Sequence, residues 1–423
     1  MRNNGLLPLL TEIKAKSNLV ARKNGFLTPS RCGWIRMHIF FSVGEPSGDQ
    51  HAANLILELK RLCPESRFSG FGGPRMEDAG CRLLFRMTNL AVMGITAVIP
   101  HLWQFYKLVR QANRFLQECR PDAVILIDFS GFNWWVARKA RSAGIPVFYY
   151  FPPQLWAWGP WRVARIRKFV DHVLCTLPFE EQWYAERGIE AEYVGHPIFD
   201  EVAAHSLDEA FCREWSAGPA KNVAILPGSR NREVTANWPI MLEVIRRVHR
   251  TAPHTRFLVA SYKEEHREWC RGKIVGEDNE LPIHFFVGKT PEVLCLADCC
   301  LMVSGSVSLE VLARSKPAVV IYRFTRKVRL ALYFLLTCKF LSLPNLIAHR
   351  AIMPEFYCAW DRDGDIEKMA AILRSWVSDP DKLKTTTADM RRLGEEVIQS
   401  GATTRAAKAI LSRLGRIPAK EAA

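Results

Sequence analysis

The stretch "MHIFFSVGEPSGDQHAANLILELK", from Met37 to Lys60, decides the fold. It begins with an apolar run, "HIFFSV", and continues through a corner of acidic and small residues, Gly44–Asp49. A helix-like pattern follows, whose apolar face is formed by Ala52, Leu55, Ile56 and Leu59. A strand, a corner and a helix in this order are typical of parallel sheets that are covered by helices. The corner holds more polar groups than a plain connection needs, so we expect it to face a ligand.

The same alternation of strand and helix continues along most of the chain. Apolar runs such as "AVILIDF", "IPVFYYF" and "HVLCTL" precede a polar segment, Ala203–Ala220, and runs such as "NVAILPGSR", "IHFFVG" and "CLMVSGS" follow it. Two such series predict an α/β protein with two doubly wound Rossmann-like domains that face a cleft. We place the first domain at residues 37–205 and the second at residues 206–395, with a C-terminal helix and tail at residues 396–423.

Composition limits the classes of function. The 423 residues carry a net charge of +15, which favours anionic partners such as phosphates or acidic lipid. The 12 cysteines form no CxxC pair, which indicates reduced thiols in a cytoplasmic protein and argues against a structural metal. No apolar run reaches the roughly 18 residues of a membrane span. No groove-reading motif supports a nucleic-acid binder.

Residues 1–36 differ from the rest of the chain. They hold seven Lys or Arg and a single acidic residue, Glu12, without a lasting periodicity. Their short apolar run, "GLLPLL", is below the roughly 7–15 residues of a signal-peptide core. We therefore expect either a disordered basic leader or translation that begins at Met37.

Two corners of the first half offer polar groups to a ligand. In the first corner, Glu45, Ser47, Gly48 and Asp49 precede a helix N-terminus, whose free N–H groups suit anions. An equal interpretation of Asp49 is that it caps that helix. In the second corner, Asp128 emerges from a buried strand, where a carboxylate can act as a general base. The alternative for Asp128 is a turn in which its side chain accepts from nearby backbone N–H groups.

An aromatic stretch follows, Tyr149–Trp161, with three Trp, three Pro and two Tyr. Basic residues come directly after it. Aromatic platforms beside basic side chains suit sugar faces, phosphates or single-stranded nucleic acid, and interdomain packing fits equally well. From this stretch we assign Trp156 and Arg162 to the acceptor side of the predicted cleft.

The second half repeats the pattern of strand ends with small and polar residues. Gly228, Ser229 and Arg230 end one strand, and a guanidinium there can grip a diphosphate with two hydrogen bonds. Ser304–Ser306, which includes Gly305, opens onto a helix whose N-terminus suits phosphate oxygens. Glu310 lies one residue beyond the capping-box position, so we expect it to accept from sugar hydroxyls. A first-turn acid favoured only by the helix dipole is the alternative for Glu310.

Ten motifs occur in the order found in one family. They include "GEPSGD", "ILIDFSGFN", "PQLWAWGPWRVARIRK", "LPGSRNREV", "VSGSVSLE" and "SLPNLI…MPE", between Met37 and about Glu355. In these motifs the chain resembles the lipid-A-disaccharide synthases. The resemblance implies an inverting, metal-independent and cofactor-free glycosyltransferase of the GT-B type. Its reaction would join UDP-2,3-diacylglucosamine to 2,3-diacylglucosamine 1-phosphate and release UDP.

The resemblance also implies roles for particular residues. Asp128 matches the family's essential aspartate, a proposed base for the acceptor 6-hydroxyl. Arg230, Glu310 and Asn345 match positions in the nucleotide half, where we also place Glu355. The chain departs from the pattern at Cys358, where Gln is usual, which puts one hydrogen bond on the nucleotide side in doubt.

Acylated substrates imply a lipid-facing surface. Residues 91–110 combine apolar side chains with basic flanks, which suits a helix that lies on anionic lipid, although a buried helix is the alternative. The side chains that we assign to a membrane patch are Met93, Ile95, Val98, Ile99, Leu102, Trp103 and Phe105. We accordingly expect a cytoplasmic protein that is peripheral to the inner membrane, does not bind nucleic acid, and is compatible with a homodimer.

Two other classes of function stay open on the sequence. The first is another GT-B protein, such as a UDP-GlcNAc 2-epimerase or a transferase with a soluble acceptor, which would need no lipid. The second is a nucleotide-sugar-binding protein without catalysis. Only Cys358 suggests the second class, and the presence of Asp128 and Arg230 argues against it.

Overall fold

The computed structural model describes residues 37–89 and 102–417. The chain divides into two compact units. The first unit takes in the chain up to Ala203 and again from Gln399 onward, and the second unit is Ala204–Ile398. Each unit contains one parallel sheet.

The first sheet has the strand order β3-β2-β1-β4-β5-β6-β7, and all its neighbours pair in parallel. Its strands are β1 (His38–Val43), β2 (Arg67–Gly72), β3 (Arg82–Arg86), β4 (Ala123–Ile127), β5 (Val147–Tyr150), β6 (His172–Cys175) and β7 (Ala191–Tyr193). The order reverses between β1 and β4. In open parallel sheets, ligands bind beside the carboxyl ends of the strands at such a reversal.

Helices connect these strands on both faces of the sheet. They are α1 (Pro46–Leu62), α2 (Pro74–Asp78), α3 (Leu102–Cys119), α4 (Ser130–Ser142), α5 (Val163–Phe169), α6 (Pro178–Ala185) and α7 (Ile198–Ala204). Alternate residues of β1 show the two-sided burial: Ile39 and Phe41 join one apolar core, and Phe40 joins the core on the opposite face. Burying each of these side chains stabilises the unit by about 1.5–3 kcal/mol.

The second sheet repeats this topology, with the order β10-β9-β8-β11-β12-β13 and parallel pairing throughout. Its strands are β8 (Lys221–Leu226), β9 (Thr255–Ser261), β10 (Ile283–Val287), β11 (Cys299–Val303), β12 (Ala318–Ile321) and β13 (Glu355–Phe356). Its reversal lies between β8 and β11. The predicted pair of doubly wound α/β units is therefore confirmed.

Helices also lie before, between and after the strands of the second unit. They are α8 (Glu209–Ser216), α9 (Asn231–Thr251), α10 (Glu264–Arg271), α11 (Thr290–Leu296), α12 (Val307–Ala313), α13 (Arg326–Leu335), α14 (Leu343–Ala348), α15 (Arg362–Ser378) and α16 (Pro380–Val397). The last helix, α17 (Ala402–Arg413), returns to the first unit. There the Thr404 hydroxyl donates to Glu58 of α1 at 2.7 Å, and Ile410 joins the core beside that helix.

Two local expectations need correction. The corner after β1 is shorter than predicted, because α1 already begins at Pro46, a residue that suits the first helical position. The polar segment Ala203–Ala220 is not a plain linker, because it contains α8, whose N-terminus is capped by Asp208.

Candidate functional site

Asp128 lies directly after β4, beside the reversal of the first sheet. Its φ is 49° and that of Phe129 is 38°, so two successive residues adopt left-handed backbone. Such a conformation costs a residue with a side chain about 1–3 kcal/mol, and it persists only where the surroundings impose it. Here Tyr149 Oη and Asn133 Nδ2 both donate to the Asp128 carbonyl oxygen, at 2.8 and 2.9 Å. The backbone that carries the carboxylate is therefore fixed.

Asn133 ties the two central strand ends together. Its Nδ2 also donates to the carbonyl oxygens of Ser42 on β1 and Ile127 on β4, each at 3.1 Å. Its Oδ1 accepts from the Ser42 hydroxyl at 2.6 Å. Sequence reasoning did not single out Asn133 or Tyr149. The available signal was a polar group in an otherwise apolar element, since a buried amide or hydroxyl needs a partner.

The Asp128 carboxylate lies against the first turn of α1. A Cβ built on Gly48 would be only 3.2 Å from Asp128 Oδ2, so glycine leaves the room that this carboxylate needs. Burial, and to a lesser extent the negative charge of Glu45, raise the pKa of Asp128 to about 7. A carboxylate with a pKa near neutrality is a stronger base than an ordinary aspartate, and a substantial fraction of it is ionised at neutral pH.

The residues of the predicted first corner differ in burial. Glu45 occupies the N-cap position of α1 without a side-chain capping bond, and Ser47 is exposed in the first turn. Asp49 is different. Its carboxylate is buried and accepts from three backbone N–H groups, those of Gly73, Arg75 and Met76, at 2.9–3.1 Å. Asp49 therefore fixes the start of α2 rather than capping α1, and we no longer assign it to the acceptor site.

Trp156 also has a structural position. It is only 7% exposed, and its Nε1 donates to Glu180 Oε1 at 2.9 Å, so it does not offer a face to a sugar. Two other aromatic residues of the stretch, Trp158 and Trp161, are exposed. The Arg162 guanidinium lies 4.2 Å from the Trp158 ring centroid and donates to the Trp158 carbonyl oxygen. The available aromatic surface is therefore formed by Trp158 and Trp161, with Arg162 beside them.

In the second unit, Gly228, Ser229 and Arg230 follow β8, beside the reversal of that sheet. Gly228 has φ 122°, and a Cβ there would lie 2.7 Å from Glu233 Cβ. Glu233 Oε2 accepts from the backbone N–H groups of Ser229 and Arg230 at 3.1 and 3.2 Å. Its Oε1 accepts from the exposed Arg230 guanidinium at 2.8 Å. The loop thus binds a carboxylate with the groups that an anionic ligand would use.

The second polar loop follows β11, the neighbouring strand. Ser304 is half-buried, whereas Gly305 and Ser306 are exposed before α12. One oxygen of Glu310 is already paired, and its contact with sugar or ribose hydroxyls stays a prediction. Its Oε1 accepts from Nε and Nη2 of the buried Arg314 at 3.3 and 3.2 Å. This i,i+4 pair joins the middle of α12 to the residue that follows its last turn, and it stabilises the helix.

Asn345 and Glu355 are occupied within the second unit. Asn345 is fully buried: its Oδ1 accepts from the N–H groups of Ile352 and Met353, and its Nδ2 donates to Glu355 Oε1 at 2.9 Å. Glu355 accepts in addition from the Ser342 N–H and hydroxyl, at 2.9 and 2.6 Å. These hydrogen bonds fix the chain around α14. Direct contact of Asn345 and Glu355 with the nucleotide stays a prediction.

Cys358 lies just after β13 with φ 46° and is buried in the core of the second unit. Its backbone N–H donates to Asp365 at 3.1 Å. The thiol therefore fills apolar space. The loss of a nucleotide-side hydrogen bond at this position stays a prediction.

The exposed start of α3 carries part of the predicted membrane patch. Leu102 and Trp103 are 58% and 66% exposed, and Tyr106 is exposed beside them. Phe105 instead packs inward, against Phe129 and Phe132. Two basic residues, Lys107 and Arg110, flank the exposed side chains, and these five exposed residues form what we call the α3 surface. Met93, Ile95, Val98 and Ile99 lie outside the described residues.

Two features of the described residues concern metal binding and membrane spanning. Among residues 37–89 and 102–417, no group of three or more His, Cys, Asp or Glu side chains is placed to hold a metal ion. In the same part of the chain, no helix is long and apolar enough to cross a membrane.

Comparison with known sequences agrees with this arrangement. The family model described as lipid-A-disaccharide synthetase matches residues 39–412. The lipid-A-disaccharide synthase of Myxococcus xanthus is 35% identical over 388 residues, which cover 90% of this chain and 98% of that protein. The match thus includes both sheet reversals and the loops that follow them.

Solved structures show the same fold at low identity. A putative UDP-N-acetylglucosamine 2-epimerase from Listeria monocytogenes superimposes with a TM-score of 0.63 and 10% identity, over 90% of this chain and 98% of that one. A calicheamicin glycosyltransferase superimposes with a TM-score of 0.58 and 15% identity, over 91% of this chain and 100% of that one. These likenesses show that the chain has the GT-B fold, with one Rossmann-like sheet in each unit. At such low identity they do not indicate a substrate.

Proposed function

The chain belongs to the lipid-A-disaccharide synthase family, and from this premise we propose which residues perform the glycosyl transfer and which substrates they meet. The donor is UDP-2,3-diacylglucosamine and the acceptor is 2,3-diacylglucosamine 1-phosphate. The acceptor 6-hydroxyl attacks the anomeric carbon of the donor, the bond to the diphosphate breaks, and UDP leaves. The acceptor binds the first unit and UDP binds the second.

Asp128 takes the proton of the attacking hydroxyl. The single observation that supports this role best is its position: a carboxylate on strained, doubly hydrogen-bonded backbone at the sheet reversal. Its pKa of about 7 lets it accept a proton more readily than an ordinary aspartate. Glu45 assists, because its negative charge disfavours ionisation of Asp128 and so strengthens the base. Gly48 keeps the space beside the carboxylate open.

The loops of the second unit receive the leaving group. The N–H groups of Ser229 and Arg230 and the Arg230 guanidinium are donors for the diphosphate, whose negative charge grows as the bond breaks. Ser304–Ser306 provide further donors beside them, at the end of the adjacent strand. A diphosphate that binds the two amides has to displace the Glu233 carboxylate, which now accepts from both.

The α3 surface contacts the lipid phase from which the acylated acceptor comes. Leucine, tryptophan and tyrosine beside Lys107 and Arg110 form the combination that binds the interface of an anionic membrane. We place the protein at the cytoplasmic face of the inner membrane, bound peripherally.

Release of UDP from purified protein tests the proposed reaction. The protein is incubated with donor and acceptor together, with each alone, and with UDP-N-acetylglucosamine in place of the acylated donor. We expect UDP release only when both acylated sugars are present, with an equal amount of disaccharide by mass spectrometry. Turnover of UDP-N-acetylglucosamine without lipid would contradict the proposal and favour an epimerase or a transferase with a soluble acceptor.

A further inference from the structure

Helix α13 in the second unit carries exposed apolar side chains that the glycosyl transfer does not explain. Val328, Leu330 and Leu335 are 46%, 52% and 57% exposed, and Trp360, which lies just before α15, is 57% exposed. Among the α13 side chains that the structure describes, none belongs to the apolar core of the second unit. Val328 and Leu335 are seven residues apart, so they lie on one face, two turns from each other.

Basic side chains are interleaved with these apolar groups. Arg326 and Lys327 are exposed in the first turn of α13, and the Arg326 guanidinium lies 5.9 Å from the Trp360 ring centroid. Lys339 is exposed just after the helix. No Asp or Glu occurs in the sequence between Glu310 and Glu355, so no acidic residue of this segment offsets its positive charge. We call the six residues Arg326, Lys327, Val328, Leu330, Leu335 and Trp360 the α13 surface.

Helix α13 contacts the second unit through its inner side. The Arg329 guanidinium lies 4.2 Å from the Tyr357 ring centroid, and Tyr357 stacks on Tyr322 and Phe324. Tyr322 directly follows β12, so α13 begins at the carboxyl edge of the second sheet, the edge that also presents the Gly228–Arg230 loop. The inner side of α13 is therefore fixed to the second unit, and its outer side is exposed.

We propose that the α13 surface is a second membrane-contact surface, which binds the headgroup region of an anionic lipid bilayer. Exposed aliphatic side chains with an adjacent Trp, and with Arg and Lys from a segment that contains no acidic residue, have the chemistry of an interfacial helix on acidic lipid. This inference goes beyond the proposed function, because it concerns the unit that binds UDP and requires no residue of the reaction. It also accounts for a donor that is itself acylated and must be taken from a bilayer.

Vesicle binding by the full chain, without either sugar, tests the proposal. The probes are vesicles of phosphatidylcholine alone and of phosphatidylcholine mixed with phosphatidylglycerol. The variant V328Q/L330Q/L335Q removes apolar area and keeps helix propensity. The matched control L57Q/V275Q changes an exposed leucine and an exposed valine elsewhere, 55% and 66% exposed. A second variant, R326Q/K327Q, tests the charge.

We expect the glutamine triple variant to bind anionic vesicles about tenfold more weakly, whereas the control binds like the parent chain. R326Q/K327Q should lose roughly fivefold for each charge on anionic vesicles and little on phosphatidylcholine alone. Circular dichroism checks that each variant is folded. Three outcomes would overturn the proposal: unchanged vesicle binding by both variants, an equal loss in the control, or a change of oligomeric state with vesicle binding intact. The last of these would identify the surface as a contact between two copies of the chain.

Discussion

The carboxyl edges of the two sheets have the same topology and opposite chemistry. In both units the strand order reverses after the first strand, and polar loops follow the two strands at the reversal. The first unit presents carboxylates there, Asp128 with Glu45 nearby. The second unit presents backbone N–H groups and the Arg230 guanidinium. We infer that one fold, used twice, provides a base on one edge and donors for an anion on the other.

The difference shows why the two edges suit the two halves of a glycosyl transfer. A base gains strength when burial and a like charge raise its pKa, and that is the setting of Asp128. A leaving diphosphate requires donors that are already oriented, and the second edge already binds one carboxylate, that of Glu233. Substitutions at each edge should show whether the two roles are separate.

The largest expected effect is that of Asp128→Asn on turnover. Loss of the base should lower kcat roughly a hundred- to ten-thousandfold, since this is the range that general base catalysis contributes. UDP affinity, measured by calorimetry, should stay within about twofold of the parent chain, because UDP binds the second unit in this account. An equal loss of turnover and of UDP affinity would contradict the assignment of catalysis to Asp128 and of UDP binding to the second unit. Asp122→Asn, a carboxylate that instead accepts from the His38 backbone N–H, is the matched control.

Arg230→Ala tests the opposite edge. It removes a charge-assisted donor, so UDP affinity should fall about 10- to 100-fold. Arg230→Lys should recover only part of this affinity, because an ammonium lacks the fork of donors. Calorimetric titration with UDP measures both variants. Arg232→Ala is the control, since Arg232 lies two residues along in α9 and has no assigned role; unchanged affinity in Arg230→Ala would exclude this arginine from the diphosphate site.

The pH dependence of kcat/KM tests the environment of Asp128. The carboxylate must be ionised to accept a proton, so kcat/KM should rise with pH and level off above a pKa of about 7. Glu45→Gln removes a charge that raises this pKa, so the rise should move to lower pH. The expected result is several-fold higher relative activity on the acidic side. A profile identical to that of the parent chain would show that Glu45 does not influence the base.

Asp128→Asn should lower activity but raise the stability of the fold at alkaline pH. Its pKa in the folded protein is raised above the ordinary value of 3.8. The group therefore stabilises the fold at low pH, relative to a carboxylate with an unshifted pKa, and loses that contribution as pH rises through about 7. Asp128→Asn should accordingly raise the melting temperature at alkaline pH by a few degrees and leave it nearly unchanged near about pH 4. If Asp128→Asn instead lowers the melting temperature at alkaline pH, the buried, ionised Asp128 carboxylate does not destabilise the fold.

The smallest expected effect on turnover is that of Asp49→Asn. Asp49 is an acid of the same first corner, but its carboxylate accepts from three N–H groups of the segment that begins α2. The substitution should lower the free energy of unfolding by about 2–3 kcal/mol. The kcat of the protein that remains folded should be unchanged. Chemical denaturation and active-fraction kinetics measure the two quantities, and a normal stability with a strongly reduced kcat would return Asp49 to the acceptor site.

The fold was accessible from the sequence because its strands are continuous apolar runs. "HIFFSV" and "AVILI" are buried on both faces of the first sheet. A continuous apolar run in the sequence therefore corresponds directly to a strand that is covered on both sides. The position of Asp128 was accessible for the same reason, since it directly follows such a run. Motif resemblance indicated the loops of both edges.

Side-chain partners were not accessible from the sequence. Asn345, Asp49 and Trp156 look like ligand-binding residues in a motif, yet each is occupied by neighbours that lie close only in the folded chain. The strained backbone of Asp128 and Phe129 likewise depends on Asn133 and Tyr149, which reach it from other elements. Hydrogen-bond satisfaction in the folded state therefore decides which polar residues of a motif remain available to a ligand.

A crystal structure of the protein with UDP bound is the most direct measurement of the division between the two edges. We expect diphosphate oxygens within hydrogen-bonding distance of the Ser229 and Arg230 backbone nitrogens, with the Glu233 carboxylate moved away from them. A diphosphate bound instead at the first turn of α1, beside Glu45 and Asp128, would contradict this division.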